Sequence, residues 1–303
     1  MHVIPLVSVA MATYNGASYI SQQLKSILDQ TYPNLEVIIT DDASSDGTLA
    51  ILNDYRNKYA NIQIFTNPVN LGITSTFERS IKSCSGDFIA ISDQDDIWDP
   101  NKIEILIRGL ENEDAIYSDS ELVDKNGQTM NKLISSLVNL KSFDTGAPYL
   151  VGVCPPGHTM LMQGDFAKYI LPIPKSILYD RWISFCAAAN NGIKYLDMPL
   201  VKYRQHETNS FGAGKSKNRK IRQSKEQRFH AKLLELKAYD NAPIKNAETK
   251  VLLGKMLGHF NRKISLARSY FFFKNRNKLL VIKKKNRIRK ILYCLKMIFK
   301  ANY

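Results

Sequence analysis

The period of apolar and polar positions changes along the chain and divides it into three stretches. In the first stretch, short β-branched runs at residues 7–12, 36–40, 62–66 and 87–92 read as strands. Between them, residues 18–30 place Ile20, Leu24, Ile27 and Leu28 on one helical face, and residues 49–59 and 74–83 read as further helices. Alternating strand and helix signals predict a parallel α/β sheet flanked by helices. The middle stretch is less regular. It predicts a helix at 101–110, a strand at 115–118, a long polar connection over 124–148, a helix from Tyr179 through Ala189 and a strand at 194–196. Residues 212–218, rich in Gly, Lys, Ser and Asn, make the best boundary, and a helical pattern without Gly-rich turns follows. The expected organisation is a catalytic domain over 1–213 and a basic helical extension over 214–303.

Polar clusters stand where the strands end. Thr13-Tyr14-Asn15, Asp41-Asp42 and Asp93-Gln94-Asp95-Asp96 follow three predicted parallel strands. In an open α/β sheet the ligand crevice lies beyond the strand C-termini, so spacing alone gathers these groups on one edge. Three carboxylates in four residues repel one another unless a cation joins them. Hard oxygen donors suit Mg²⁺ or Mn²⁺, an ion that keeps places for phosphate oxygens. The bland alternative is a solvated turn with capping aspartates, and Asp46-Gly47-Thr48 reads as turn and cap chemistry of that kind. A carboxylate at 41–42 can accept N3–H of a uracil or thymine ring, with Tyr14 as a stacking surface. Neither GxGxxG nor GxxxxGK[ST] occurs, which disfavours the dinucleotide fold and phosphate-loop ATPases.

The net charge of +14 conceals a division. Residues 214–303 hold 26 Lys and Arg against 4 Asp and Glu, about +22, so the front part carries about −8. Ile288, Ile291, Leu292, Leu295, Ile298 and Phe299 recur at helical spacing among these basic residues, a pattern suited to an anionic membrane surface. Packing on the catalytic domain, or on a second copy in a homo-oligomer, is the alternative. Phe271-Phe272-Phe273 fits either surface or core. Nucleic acid is not the expected partner, because no nucleic-acid-binding motif accompanies the charge and the acidic front part repels phosphate. No apolar run reaches the ~18 residues of a membrane span. The four cysteines are dispersed without a CxxC pair, which points to a reducing cytosol.

Several strings together carry a resemblance. Val7-Ser-Val-Ala-Met-Ala-Thr-Tyr14-Asn-Gly, Ser26-Ile-Leu-Asp-Gln30-Thr-Tyr-Pro33, Thr40-Asp41-Asp42-Ala-Ser-Ser-Asp-Gly-Thr48 and Ser92-Asp-Gln-Asp95-Asp-Ile-Trp98 stand in the order seen in family-two glycosyltransferases. The chain resembles that family over residues 5–211, and the last string resembles its bacterial rhamnosyltransferase branch. The resemblance implies a GT-A, Rossmann-like fold with a mostly parallel sheet, and an inverting, metal-dependent hexosyl transfer from a nucleotide-sugar donor. The donor implied is dTDP-L-rhamnose, with a UDP-hexose or UDP-N-acetylhexosamine as the alternative. The acceptor implied is a glycan or lipid-linked glycan for cell-surface polysaccharide, reached by a peripheral protein on the cytosolic face of the membrane.

By the same resemblance, Ala12 and Tyr14 line the base and Asp42 binds its N3–H. Asp93 and Asp95 form the DxD motif, with Asp95 the direct Mg²⁺ or Mn²⁺ ligand. Asp180 is the catalytic base, and His206, with Arg204, closes over the diphosphate as a metal ligand or an anion contact. Two positions depart from the family pattern: Arg181 precedes Trp182 where a second Trp often follows the acid, and Thr76 stands where Asn is common. Arg181 is open to an acidic acceptor or to Asp180 itself, and both tryptophans are expected in the core.

Overall fold

A computed structural model describes residues 3–152, 154–206, 224–260, 264–284 and 286–299. The front part runs β1 (Val7–Thr13), α1 (Ile20–Leu28), β2 (Leu35–Asp41), α2 (Thr48–Lys58), β3 (Ile62–Thr66), α3 (Ile73–Ser83) and β4 (Phe88–Ser92). The middle adds β5 (Ile97–Trp98), α4 (Lys102–Gly109), β6 (Ala115–Val123), β7 (Thr129–Leu133), α5 (Ile134–Leu137), β8 (Met160–Gln163), α6 (Gly164–Tyr169), α7 (Tyr179–Ala188) and β9 (Ile193–Arg204). The helices α8 (Lys225–Asp240), α9 (Ala247–Phe260), α10 (Leu266–Lys274), α11 (Arg276–Leu279) and α12 (Arg287–Lys296) follow.

Among the described residues one nine-stranded sheet has the order β3-β2-β1-β4-β8-β6-β9-β5, with β7 paired to β6. Strands β1 to β4 are mutually parallel, while β8 runs antiparallel to both β4 and β6. Helices cover both faces, so each strand must be apolar on both sides. Val7, Val9 and Met11 of β1 join Val37 and Ile39 of β2 in one core, whereas Ala10 and Ile38 face the opposite one. The alternation of side chains along a strand thus turns a continuous apolar run into two core layers.

The polar connection expected over 124–148 contains β7 and α5. The strand expected at 194–196 is part of the longer β9, whose pairing with β6 shifts register between Ser118 and Ser120. Trp98 and Trp182 are both buried, as the sequence predicts.

The expected boundary at 212–218 lies outside the described residues. Helices beyond it are not held apart from the sheet, because Leu236, Tyr239, Met256, Phe272 and Met297 belong to the same core as Ala10 and Phe77. Phe185 of α7 stacks on Tyr239 of α8 at a centroid distance of 3.8 Å. Lys245 N and Asn246 N both donate to Ala189 O, fastening the entry to α9 onto the end of α7. Arg268 is buried and donates to Met297 O, His259 O and Ile298 O, joining α10 to the ends of α9 and α12. The phenylalanine triplet divides: Phe271 and Phe272 are core, and Phe273 is exposed.

Candidate active site

A cleft of about 620 Å³ opens at the C-terminal ends of β1, β2 and β4. Its floor is built by three loops that follow parallel strands, as the strand-end clusters predict. Asn15 and Ala43 take left-handed backbone conformations, φ 48° and 61°, which bend the chain sharply just past β1 and β2. Asn15 N donates to Ser44 Oγ at 2.9 Å, and Ser45 N returns a bond to Asn15 Oδ1 at 2.9 Å. Asp41 faces inward and accepts from Thr13 Oγ1 and Ser44 N, both at 2.8 Å. Asp46 accepts from Thr48 N and Ala17 N, the turn and cap role expected of it.

Ala12, Tyr14, Asp42, Asp93, Asp95, Asp180 and His206 all line this cleft. Asp42 receives Asn67 Nδ2 and Leu71 N at 2.8 Å on one oxygen and Gly72 N at 2.9 Å on the other. Gly72, at φ 84°, turns the chain into α3 so that its N–H faces the carboxylate. The second oxygen keeps a lone pair that a base N–H can use. Tyr14 is half exposed at the rim, and Gln94 fixes its backbone by accepting from Tyr14 N and donating to Tyr14 O. Gly16 leaves room for this contact, since a Cβ there would meet Gln94 Oε1 at 2.3 Å and displace the side chain. The middle residue of Asp-Gln-Asp thus latches the β1 loop to the β4 loop. Thr76, where the family pattern has Asn, is buried and donates to Gly72 O at 2.9 Å.

The carboxylates after β4 have separate surroundings. Asp95 Oδ2 lies 2.7 Å from His206 Nε2, and that imidazole stacks on Tyr19. Asp93 accepts from Tyr179 OH at 3.2 Å. Asp96 is fully buried, accepts from Arg204 N, and leaves Oδ2 without a hydrogen bond. His158 Nδ1 stands 3.6 Å from both Asp93 and Asp96, while its Nε2 meets Ser120 Oγ at 3.0 Å. Burial pushes Asp96 up to about 7 against the pull of His158. Burial works the other way on His158, yet the two carboxylates leave it raised above its ordinary value. Lys102, also buried, donates to His158 O and lies over the Trp98 ring. Burial holds its ammonium well below the usual range.

Two donor sets here fit a divalent cation. Asp95 Oδ2 and His206 Nε2 meet at the cleft wall, an oxygen and a nitrogen donor that can turn to a divalent ion instead. Ligand atoms of Asp93, Asp96 and His158 lie within 4.8 Å of one another, and the unpartnered Asp96 oxygen fits a cation as well.

Asp180 sits in the first turn of α7, half-buried. Burial raises its pKa above the ordinary carboxylate value, while the Cys154 thiol and Arg181 N hold it down by hydrogen bonding. Tyr179, immediately before it, donates to Asp93, so Asp180 and Asp93 are joined by one short bridge.

Arg204 departs from the expectation that it meets a diphosphate. Its side chain is 1% exposed and does not line the cleft. It donates to Asp95 O, Lys125 O and Gln22 Oε1, with the guanidinium over Tyr19, so it braces the Asp95 loop from behind. Arg181 pairs with Glu235 of α8 at 2.6 Å, and Lys232 pairs with the same carboxylate at 2.9 Å. Glu235 lies 54 positions from Arg181. No local pattern marks it, whereas Tyr179 opens the helix that the sequence predicts through Ala189.

The family model for glycosyl transferase family 2 matches residues 8–170. The chain belongs to this family. It is a glycosyltransferase with the GT-A fold. The transferase is 32% identical over 217 residues to the dTDP-rhamnosyl transferase RfbG of Shigella flexneri, spanning 67% of this chain and 74% of that one. Among solved structures it is similar to S. aureus TarS in complex with UDP-GlcNAc, with TM-score 0.60, 21% identity, and coverage of 97% of this chain and 81% of that one. It is also similar to the mannosyltransferase PcManGT of Pyrobaculum calidifontis in complex with GDP-Man and Mn²⁺. There the TM-score is 0.54 and the identity 15%, over 97% of this chain and 80% of that one.

Proposed function

We propose that the transferase moves L-rhamnose from dTDP-rhamnose, with inversion, to a hydroxyl of a lipid-linked cell-surface polysaccharide precursor on the cytosolic side of the membrane. The observation that carries this reading is Asp180, a carboxyl of raised pKa whose neighbour Tyr179 donates to Asp93, with Asp95 lining the same cleft. Tyr14, Ala12 and Asp42 receive the base, with the free lone pair of Asp42 toward its N3–H. Asp95 and His206, with Asp93 of the same loop, would hold Mg²⁺ or Mn²⁺, whose charge would offset that of the departing nucleotide diphosphate. Asp180 accepts the proton of the acceptor hydroxyl while that oxygen bonds to the anomeric carbon. The bond from that carbon to the diphosphate oxygen breaks, and the nucleotide leaves with the electron pair. One displacement turns a β-configured donor into an α-rhamnoside.

Rhamnose is favoured by the likeness to the Shigella dTDP-rhamnosyl transferase. A UDP-hexose or UDP-N-acetylhexosamine donor is the second reading, for which the TarS complex with UDP-GlcNAc speaks. Calorimetric titration of dTDP-rhamnose, UDP-glucose and UDP-N-acetylglucosamine, each with Mn²⁺ and with EDTA, separates the two. Metal-dependent binding that prefers dTDP-rhamnose supports the first reading. Preference for a UDP-sugar overturns the rhamnose, and no binding by the folded protein overturns donor use in this cleft.

A further inference from the structure

Helix α12 carries apolar residues on two faces. Tyr293, Cys294 and Met297 are buried against the core. Ile288, Leu292 and Leu295, spaced i, i+4, i+7, form a second row with Phe299 just beyond the helix end, and all four are 50–68% exposed. Helix α10 repeats the arrangement: Phe271 and Phe272 face inward, while Leu266, Tyr270 and Phe273 are exposed. The two rows converge where Ile264, itself exposed, pairs with Phe299 in an isolated bridge. Contiguous exposed apolar surface of this kind marks an interaction face. Its border is basic, with Lys274, Arg287 and Arg289 exposed around it, and the sequence has no Asp or Glu after Glu248.

We infer that this α10–α12 face seats the protein on an anionic lipid bilayer, the aliphatic and aromatic rows entering the interface and the basic border meeting headgroup phosphates. An apolar row at helical spacing flanked by Lys and Arg is the pattern of an interfacial helix. A second copy would bring two faces of like charge together, and a nucleic acid has no use for the apolar row. The face also has a place relative to the chemistry. Lys284, just ahead of α12, donates to Ser136 O at the end of α5, and Asn139 Nδ2 donates to Val281 O. Ile134 and Val138 of that same segment line the cleft. The segment that leads into α12 therefore packs on the chain that lines the cleft, which gives an acceptor anchored in that bilayer a route to the site. This deepens the reading of a lipid-linked acceptor and rests on it for its purpose.

The test is sedimentation of the full chain with vesicles of phosphatidylcholine alone and with added phosphatidylglycerol. It is run at low and high salt, alongside a Leu292→Ser/Leu295→Ser variant and an Arg287→Glu/Arg289→Glu variant. Both pairs are exposed, and circular dichroism verifies that each variant is folded. The expected result is salt-sensitive binding to the anionic vesicles that falls at least tenfold in either variant, with donor affinity unchanged. Absence of binding by the parent protein overturns the inference, as does binding that neither variant weakens. A parent that instead self-associates through Leu292 and Leu295 in analytical ultracentrifugation assigns the face to a second copy and overturns it too. Donor binding without vesicle binding defeats only this inference, whereas vesicle binding without any nucleotide-sugar binding defeats only the proposed function.

Discussion

In an Arg204→Lys variant the positive charge stays in place but the three-way fork is lost. Nε, Nη1 and Nη2 donate to Asp95 O at 2.8 Å, Lys125 O at 2.8 Å and Gln22 Oε1 at 2.6 Å, three acceptors in separate directions. An ammonium at one point serves one of them well, leaving two without their donor. These acceptors are only part-buried, so each lost bond costs about 0.5–1.5 kcal/mol and the two together roughly 1–3 kcal/mol. The weaker cation contact with Tyr19 adds about 0.5–1 kcal/mol. Against a total stability of about 5–15 kcal/mol this is a large fraction. The thermal midpoint should fall by roughly 3–8 °C. Circular dichroism melting measures that drop, and calorimetric titration of the folded variant measures donor affinity. If Arg204 instead contacts a diphosphate, lysine keeps most of the charge interaction and the fold is untouched. A midpoint within ~1 °C of the parent, together with tenfold weaker donor binding, would refute the brace and restore the anion contact.

Three further outcomes are expected. Asp180→Asn abolishes transfer and leaves donor binding nearly intact, whereas equal loss of both would make Asp180 a donor ligand or a structural residue. Burial raises Asp180 above its ordinary 3.8, and only its deprotonated form accepts a proton, so activity falls as pH drops through that raised value. The Cys154 thiol lowers the same pKa, so Cys154→Ala shifts the acidic limb of the pH–rate profile upward, and an unmoved limb refutes the coupling. The native carboxyl binds its proton more tightly than the unfolded chain does. Asp180 therefore favours folding at low pH and loses that contribution as pH rises through its native pKa. Glu235→Ala strands Arg181 and Lys232 without their shared carboxylate and costs about 3 kcal/mol in the urea midpoint, so a change below ~1 kcal/mol argues against the pairing. Phe185→Ala removes a ring packed on Tyr239 and costs about 3–5 kcal/mol in one cooperative transition. Two separate transitions would show that the C-terminal helices unfold independently.

The front strands were legible because a parallel sheet covered on both faces writes apolar runs into the sequence, with polar clusters where the runs stop. Those clusters brought Tyr14, Asp42, Asp93 and Asp95 to one edge before any coordinates, and the family resemblance added Asp180 and His206. Strand β5 escaped because Ile97-Trp98 is too short to show a period. Strand β7 alternates too weakly, with three exposed and two partly exposed residues. The setting of Arg204 was illegible for a different reason. A cation beside a conspicuous histidine looks like an anion contact, and only the fold reveals that its side chain turns toward the carbonyls of Asp95 and Lys125. Glu235 illustrates the general limit: its role exists only after α8 has packed against α7, and no spacing rule spans that distance.

The mismatch between the matched region and the packed core bears on how such enzymes can be rebuilt. The family model stops at residue 170, whereas the core that contains Ala10 and Phe77 runs on to Met297. Exchanging the C-terminal helices with those of a relative, to redirect the transferase toward another acceptor, therefore cuts through side chains such as Phe185 and Tyr239 rather than between modules. A chimera will fold only when the inward faces of α8, α9 and α10 are transplanted together with the surface of α7 they cover. The outward rows of α10 and α12 carry no such folding obligation, so the bilayer contact they make can be altered without disturbing the core.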